Sequence, residues 1–340
     1  MKKRLSALLA RPSQWHYKVM AILVPGLIVG FGYVISSGRA ATVPGDINGD
    51  GTVSVLDLSI LLSHWNANYA AADLNSDGTV NILDLSTLLS HWGQTGSTPT
   101  PTPKGPMGTG KLIAKPLGST AAANGYYEYL PLSYNGSTPA PLIIFFHGVG
   151  ENGNGTSQLA STIIHGPGQA IQAGKYNTSL PFVILSPQHS GSGCPSGDEI
   201  HNFINYAQQT YAIDPKRIYL TGLSCGAIGP WNYFAKYADQ QVAAAVLLSG
   251  DDEGNAWSTQ GCVLVSSTAF WGIHGTVDGT VSFPNDQALF NHLAACPQPR
   301  TEVKFTPVQG ADHDIPWDGV YDNTLGLGDI YQWMLSHTKP

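Results

Sequence analysis

Charged residues are scarce in this chain, and basic residues are scarcer than acidic ones. Of its 340 residues 11% are charged, with 16 Lys and Arg against 23 Asp and Glu. Six of the bases and none of the acids lie in the first 45 residues, so 10 bases face 23 acids in the rest. Without a basic tract there, we expect no nucleic-acid partner. The 39 Gly and 23 Pro indicate a loop-rich globular protein and exclude a coiled coil.

Long apolar runs are absent except at the N-terminus. Residues 19–35 are apolar without interruption, follow five bases and precede small residues. This charge asymmetry predicts export of the rest of the chain. Seventeen residues is near the lower limit for a membrane span. Residues 1–40 are therefore predicted to be either a cleaved signal peptide or an anchor through residues 19–35, and the protein to be extracellular, secreted or tethered to the outer face of the cell membrane.

An internal repeat follows the leader. Residues 46–65 and 73–92 align without gaps at a spacing of 27, and 15 of 20 positions are identical. Each copy begins with the oxygen-rich pattern of a calcium loop and continues into a predicted helix, over residues 55–65 and 82–92. The predicted calcium ligands are Asp46, Asn48, Asp50, Thr52 and Asp57 in the first loop and Asp73, Asn75, Asp77, Thr79 and Asp84 in the second.

This duplicated loop and helix resembles the dockerin domain of cellulosomal enzymes. The resemblance covers residues 44–93 and implies structural calcium and a cohesin-type scaffold partner. Where dockerins of the first type favour hydroxyl residues, just before the last ligand, this chain has Val55-Leu56 and Ile82-Leu83. The predicted docking residues are therefore apolar in both copies.

Residues 94–108 alternate Pro with Thr, which favours an extended, semi-rigid linker. Residues 109–340 then alternate predicted strands with predicted helices. Several strands are continuous apolar runs, which indicates a parallel sheet covered on both faces and an α/β fold. The predicted strands are residues 126–132, 142–147, 182–188, 217–221, 242–248, 269–274 and 302–308, and the predicted helices are residues 198–210, 226–237, 284–296 and 327–337.

The chemistry of such sheets lies at the carboxyl ends of the strands. There the sequence reads Gly222-Leu223-Ser224-Cys225-Gly226 between a predicted strand and a predicted helix. In that context G-x-S-x-G is the nucleophile elbow, a sharp turn that presents a serine hydroxyl. A Gly-rich turn over residues 147–153 can aim backbone N–H groups at an oxyanion, together with the N–H of Cys225. His147 is expected to support this turn.

The remaining members of a catalytic triad are expected in the order acid, then histidine. Asp278 follows the strand over residues 269–274, and His313 follows the final strand. A histidine takes the serine proton, and a carboxylate fixes its tautomer. Alternatives that the sequence leaves open are Asp251 or Asp252 as the acid and His274 as the base.

The stretch from residue 126 to residue 333 resembles the esterases of carbohydrate esterase family one, which include feruloyl esterases, acetylxylan esterases and polyhydroxybutyrate depolymerases. The likeness is carried by residues 141–148, 186–188 and 211–224 and by the His-Gly-Thr-Val-Asp and Asp-His-Asp segments. It implies an α/β-hydrolase fold, preceded here by the small helical dockerin-like domain. The implied residues are Ser224 as nucleophile, Asp278 as acid, His313 as base and backbone donors near Val149 and Cys225.

The resemblance also implies a function: a serine esterase acting on acetyl or feruloyl groups of plant-type polysaccharide, without a catalytic cofactor. A polyester depolymerase or general carboxylesterase is the alternative, and a non-catalytic surface or scaffold-binding protein is the second. Trp231, Trp257, Trp271 and Trp317 are candidates to line the substrate site, or else core residues. Four cysteines in an exported chain allow three pairings, of which Cys194–Cys225 with Cys262–Cys296 is predicted and a free Cys225 is the alternative.

Overall fold

The computed structural model describes residues 43–48, 52–94, 105–238 and 241–340. They divide into two compact units, an N-terminal unit within residues 1–99 and a C-terminal unit within residues 100–340. The predicted leader, with its apolar segment, lies outside the described residues, as does most of the predicted linker. Within these described ranges, no helix is both long and apolar enough to cross a membrane.

The N-terminal unit contains two helices, α1 (Val55–Ser63) and α2 (Ile82–Ser90). Each begins with a capping box, in which the N-cap side chain and an acidic side chain three residues later satisfy each other's backbone N–H groups. Both predicted helices are confirmed, but each ends earlier than predicted because the chain turns at a capping histidine. The buried core of this unit is small and consists of Val53, Leu61, Ala72, Val80 and Leu88.

The C-terminal unit is built on one eight-stranded sheet in the order β1-β2-β4-β3-β5-β6-β7-β8. β1 and β2 are antiparallel to their neighbours, and the other strands are parallel. This is the α/β-hydrolase fold, so the predicted fold class is confirmed. The strands are β1 (Leu112–Lys115), β2 (Tyr126–Tyr129), β3 (Ala140–Phe146), β4 (Val183–Pro187), β5 (Ile213–Leu223), β6 (Ala244–Leu248), β7 (Ala269–Gly275) and β8 (Val303–Val308).

Helices cover both faces of this sheet. One core cluster joins the sheet to α4, α5 and α7, and a second joins the opposite face to α3, α8 and α9. Three short 3₁₀ helices, Val149–Glu151, Leu159–Ile163 and Gly261–Val265, complete the fold. The helices are α3 (Gly166–Gln172), α4 (Gly197–Thr210), α5 (Cys225–Tyr237), α6 (Asn255–Gln260), α7 (Phe283–Ala294), α8 (Trp317–Tyr321) and α9 (Ile330–Leu335).

Every strand and helix predicted in this unit is present, with ends that differ by a few residues. β5 is the largest difference, since it extends four residues before the predicted start at residue 217. β1 was missed because it is a short edge strand whose side chains are exposed or half-buried. Trp231 and Trp271 belong to the two core clusters and are almost fully buried, so they pack the interior.

Candidate active site

The turn between β5 and α5 presents Ser224. Its backbone has φ +52° and ψ −125°, a conformation that few non-glycine residues adopt. The two flanking glycines are sterically required: a Cβ on Gly222 would lie 2.2 Å from the carbonyl oxygen of Gly226, and one on Gly226 would lie 2.0 Å from that of Phe146. The glycine spacing thus permits a turn that lifts the serine side chain out of the end of the sheet.

Three residues predicted as a triad meet at this turn. The distance from Ser224 Oγ to His313 Nε2 is 2.9 Å, and that from His313 Nδ1 to Asp278 Oδ2 is 2.8 Å. The Asp278 carboxylate is inaccessible to solvent, whereas the His313 side chain is 14% exposed. A hydrogen-bonded chain from a buried carboxylate through an imidazole to a hydroxyl is the arrangement that activates a serine nucleophile.

Asp278 is held as a carboxylate by its neighbours. Burial alone would raise its pKa, but hydrogen bonds from His313 and from backbone N–H groups bring the pKa below its ordinary value. Those N–H groups belong to Thr280 and Val281, and each donates to Asp278 Oδ1 at 2.8 Å. Asp278 is therefore ionised at neutral pH and oriented by bonds on both oxygens.

The loops that carry Asp278 and His313 are packed closely together. Asp312 Oδ1 accepts the N–H of His313 at 2.7 Å and the N–H of Gly279 at 3.0 Å. A Cβ on Gly275, at the end of β7, would lie 2.4 Å from the carbonyl oxygen of Asp312. This close approach fixes the histidine loop against the acid loop.

The rival triad residues lie elsewhere or make other contacts. Asp251 accepts the N–H of Glu253, and Asp252 accepts those of Gly254 and Trp257, so both side chains stabilise their own turn. His274 is fully buried on β7 and contacts Asp278 at 3.0 Å, whereas the Ser224 hydroxyl contacts His313. The geometry therefore favours Asp278 and His313 for the roles predicted from chain order.

The predicted oxyanion turn lies beside the serine. Val149 opens the 3₁₀ helix Val149–Glu151, and a Cβ built on the preceding Gly148 would be 3.8 Å from Ser224 Cβ. His147 is buried: its Nδ1–H donates to the Gly148 carbonyl at 2.7 Å, and its Nε2 accepts the N–H of His189 at 3.0 Å. Burial lowers the pKa of His147 to about 4, so its ring is neutral and supports the turn.

Both predicted disulfides are present. Cys194 pairs with Cys225 and Cys262 with Cys296, so none of the four thiols is free. The first bond ties the residue after Ser224 to the loop that precedes α4. The side chain of Asn152, at the end of the oxyanion turn, donates to backbone carbonyls of that same loop at 3.0 Å. The two predicted oxyanion segments are thus cross-linked through one loop.

A cavity of about 310 Å³ is lined mainly by the residues that directly follow His313 in the chain. The ring centroids of Trp317 and His313 lie 5.7 Å apart, with the two rings perpendicular to each other. The Nε1–H of Trp317 donates to Ser249 Oγ at 3.2 Å. His165 meets Trp317 at 5.6 Å and contacts the Asp318 carboxylate at 3.3 Å. Of the four tryptophans considered above, Trp317 is the one placed against the triad. The lining residues are His165, Asp314, Ile315, Pro316, Trp317, Asp318 and Gly319.

One further residue behind the triad, Asp286, was missed as a functional candidate. Asp286, in the first turn of α7, lies 2.8 Å from Nδ1 of the buried His274. Nothing in the sequence around Asp286 sets it apart from other acidic residues at a helix start. The contact arises because α7 packs on β7, which sequence patterns do not specify.

The repeat loops supply oxygen ligands of the type that calcium requires. In the second loop Asp73 accepts the N–H groups of Asp77 and Gly78, while both oxygens of the buried Asp84 accept backbone N–H groups. In the first loop Asp57 accepts backbone N–H groups on both oxygens, as Asp84 does. Asp50 lies outside the described residues. Among the residues that are described, no group of three or more His, Cys, Asp or Glu side chains is arranged around a metal position. The donor chemistry fits calcium, and the ligand set stays a prediction.

Residues 44–91 match the family model of the dockerin type I domain. The match spans both copies of the repeat and confirms the resemblance drawn from the calcium-loop pattern. No curated protein matches the chain in sequence.

Solved esterase structures are similar to this chain. A thermostable esterase has 21% identity and a TM-score of 0.49, with 67% of this chain and 63% of that chain covered, so the chain spans less than two thirds of it. An acetyl xylan esterase from Aspergillus awamori has 18% identity and a TM-score of 0.45, with coverage of 64% and 98%. A feruloyl esterase module from Clostridium thermocellum, a serine-to-alanine variant in complex with sinapinate, has 16% identity and a TM-score of 0.44, with coverage of 67% and 89%.

Proposed function

We propose that the C-terminal unit is a serine esterase that hydrolyses carboxylic esters through an acyl-enzyme. The observation that supports this most directly is the continuous chain from Ser224 Oγ through His313 to Asp278, at 2.9 and 2.8 Å. The elbow that holds Ser224 and the turn beside it supply the nucleophile and the electrostatic partner for one reaction. A scaffold-binding role alone would not require any of these contacts.

The reaction proceeds in two halves. Ser224 Oγ attacks the ester carbonyl carbon, and its proton passes to His313 Nε2 while the N–H groups of Val149 and Cys225 stabilise the oxyanion. The imidazolium then gives that proton to the leaving alkoxide, which departs as the alcohol. Water attacks the acyl carbon and loses a proton to His313. The imidazolium then returns a proton to Ser224 Oγ as the acyl–oxygen bond breaks, which releases the carboxylic acid and restores Ser224 and neutral His313. Asp278 keeps the His313 tautomer and stabilises the imidazolium in both halves.

We further propose that the substrate is an acetyl or feruloyl ester on plant-type polysaccharide. The dockerin type I domain supports a polysaccharide-degrading setting for the chain. The cavity lined by Trp317 supports a planar or small acyl group, because this aromatic ring both lines the cavity and contacts the His313 ring. Two disulfides support an extracellular location. The apolar segment over residues 19–35 supports secretion or anchoring.

An ester panel tests the proposed function. We expect the purified protein to hydrolyse a small chromogenic acetate, and to show a higher kcat/KM on methyl ferulate or acetylated xylan than on a short-chain polyester. Released acid is measured against a matched reaction without protein. A folded protein that turns over none of these esters would contradict the proposal and leave the scaffold-binding alternative. A clear preference for the polyester would move the substrate class to polyester depolymerases.

We also propose that calcium holds the N-terminal unit and that this unit docks to a cohesin-type scaffold. The residues that would hold the metal are the predicted oxygen ligands of the two loops, and bound calcium would neutralise their carboxylates. Val55, Leu56, Ile82 and Leu83 are each more than half exposed, so the apolar pairs at the predicted docking positions face solvent. A partner for this surface would present apolar side chains.

Chelation should separate the two units thermally. Without metal the loop carboxylates repel one another, and the five-residue core is too small to compensate, so metal-binding energy becomes folding energy. Calcium at roughly 100 times its Kd would stabilise the N-terminal unit by about 3 kcal/mol. Calorimetry with and without chelator should show one transition that moves and a second that stays, with ester turnover unchanged.

The substitution Asp73→Asn supplies the matched control for chelation. It removes one loop charge without touching the triad and should reduce the calcium-dependent shift while leaving turnover at the wild-type rate. Reversible loss of esterase activity on chelation would show that the two units are coupled and would overturn the independence proposed here.

A further inference from the structure

His274 is a buried histidine that the proposed mechanism does not use. It lies on β7 with its side chain fully inaccessible to solvent, between two carboxylates. Nδ1 is 2.8 Å from Asp286 Oδ2, and Nε2 is 3.0 Å from Asp278 Oδ2. The second contact is to the same oxygen that accepts the N–H of His313 at 2.8 Å. Five side chains therefore form one line from Asp286 to Ser224.

These distances determine how many protons lie along the line. Asp278 Oδ2 already accepts from His313, so it is an acceptor toward His274 as well. Nε2 of His274 must then carry a hydrogen, because two lone pairs at 3.0 Å would repel each other. A second hydrogen lies between Nδ1 and Asp286, on either atom. The pair of His274 and Asp286 thus holds two protons and is neutral overall.

The charges around the pair agree with this count. Burial raises the pKa of Asp286 to about 7, and Asp251 and Asp252, in the loop after β6, add to the increase. Burial would lower the pKa of His274, but the hydrogen bond to Asp286 and the charges of Asp286 and Asp278 raise it overall. Both shifts favour retention of the second proton by the pair.

We propose that His274 and Asp286 are positioning residues for the triad, with Asp286 fixing the His274 tautomer and His274 Nε2–H holding the Asp278 carboxylate toward His313. The role rests on the proposed ester hydrolysis. With Thr280 and Val281 donating to Oδ1 and both histidines donating to Oδ2, Asp278 has four donors and one orientation. The Nε2–H of His274 also draws on the negative charge of Asp278 Oδ2. The carboxylate therefore stabilises the His313 imidazolium less than it would without this donor.

A matched pair of amide substitutions isolates the Nε2 donor. In His274→Gln the amide nitrogen reaches the position of Nε2 and still donates to Asp278. In His274→Asn the side chain is one methylene shorter, so its amide reaches Asp286 but not Asp278. We expect His274→Asn to lower kcat about 10- to 100-fold with KM within about twofold, which is the range for losing a hydrogen bond to a charged group. His274→Gln should stay within about threefold of the wild type.

The pH profile is a readout that a structural role would not move. Without the His274 donor, Oδ2 concentrates its charge on His313 and stabilises the imidazolium more strongly. The acid limb of kcat/KM should therefore move to higher pH in His274→Asn and stay at the wild-type position in His274→Gln. Thr268→Val is the matched control: Thr268 is buried in the same unit, its hydroxyl donates to the Val242 carbonyl, and it precedes β7, whereas Asp278 follows that strand. It should change the unfolding temperature without changing kcat or the acid limb.

Wild-type turnover of a small chromogenic ester is measured first, since its absence contradicts the proposed function itself. With an active wild type, a folded His274→Asn with unchanged kcat and acid limb would overturn the positioning role alone. Equal losses in both amide variants would overturn it too, because the retained donor would have rescued nothing. If His274→Asn does not fold, His274→Gln still decides: a folded protein with a hundredfold loss of kcat contradicts the proposal, and near-normal kcat with a wild-type profile supports it.

Discussion

Ser224→Ala should reduce ester turnover by about 10⁴-fold or more while leaving the fold intact. The hydroxyl is the only group that can form the acyl-enzyme in this arrangement, and the alanine keeps the Cβ that the turn already accommodates. The backbone N–H of Ser224 still donates to the Leu248 carbonyl at 2.9 Å, so the turn keeps its anchor. Turnover of a chromogenic ester and thermal unfolding followed by circular dichroism check the two halves of this expectation.

An exposed serine provides the control for that substitution. Ser258 lies in α6, and its hydroxyl bonds to backbone carbonyls of its own helix. Ser258→Ala should therefore leave turnover at the wild-type rate. If Ser224→Ala kept near-normal turnover, the acyl-enzyme mechanism proposed here would be wrong, whatever the substrate.

Asp278→Asn should cost about 10⁴-fold in kcat, because it reverses the hydrogen-bonding direction at His313. Two backbone N–H groups donate to Oδ1, so the amide oxygen of the asparagine takes that place. The amide nitrogen then replaces Oδ2 and faces Nδ1 of His313 as a second donor. His313 can accept this bond only in the tautomer that carries its hydrogen on Nε2, which cannot take the proton of Ser224.

Asp251→Asn is the matched substitution at the rival acid. Asp251 is buried, as is the side chain of Asp278, but its carboxylate accepts the N–H of Glu253. The carboxylate that contacts His313 belongs to Asp278. We expect turnover within about threefold of the wild type. A large loss in Asp251→Asn with little loss in Asp278→Asn would move the acid to the loop after β6. Equal large losses, with lowered unfolding temperatures, would indicate damage to the fold.

The pH dependence of stability at Asp278 follows from its lowered pKa. The native carboxylate is stabilised by bonds that the unfolded chain lacks, so its contribution is present above the ordinary pKa of an aspartate. That contribution is lost as the pH falls through the lower, native value. Acid should therefore weaken the site only well below neutral pH.

Local patterns in the sequence determined much of this protein. The 27-residue repeat, the alternation of apolar strands with helices and the G-x-S-x-G turn are each written within a few dozen residues. The periodicity of apolar residues indicates which face of a strand or helix is buried, and the glycines of the turn indicate where a side chain would clash. The order of Ser224, Asp278 and His313 then followed from the topology of the α/β-hydrolase sheet. The repeat, the strands and helices and the serine turn could be predicted because neighbours in sequence create them.

Contacts between distant segments were decided by the tertiary structure. β7 and β8 pair in parallel, with His274 opposite Pro307 and Gly275 opposite Val308, and this register brings the acid loop against the histidine loop. The tertiary structure also places Trp317 beside His313, while Trp231 and Trp271 fill the core. Asp286 meets His274 only because α7 packs on β7. Such contacts cannot be predicted from sequence spacing, because strand register and helix packing bring together residues that share no local pattern.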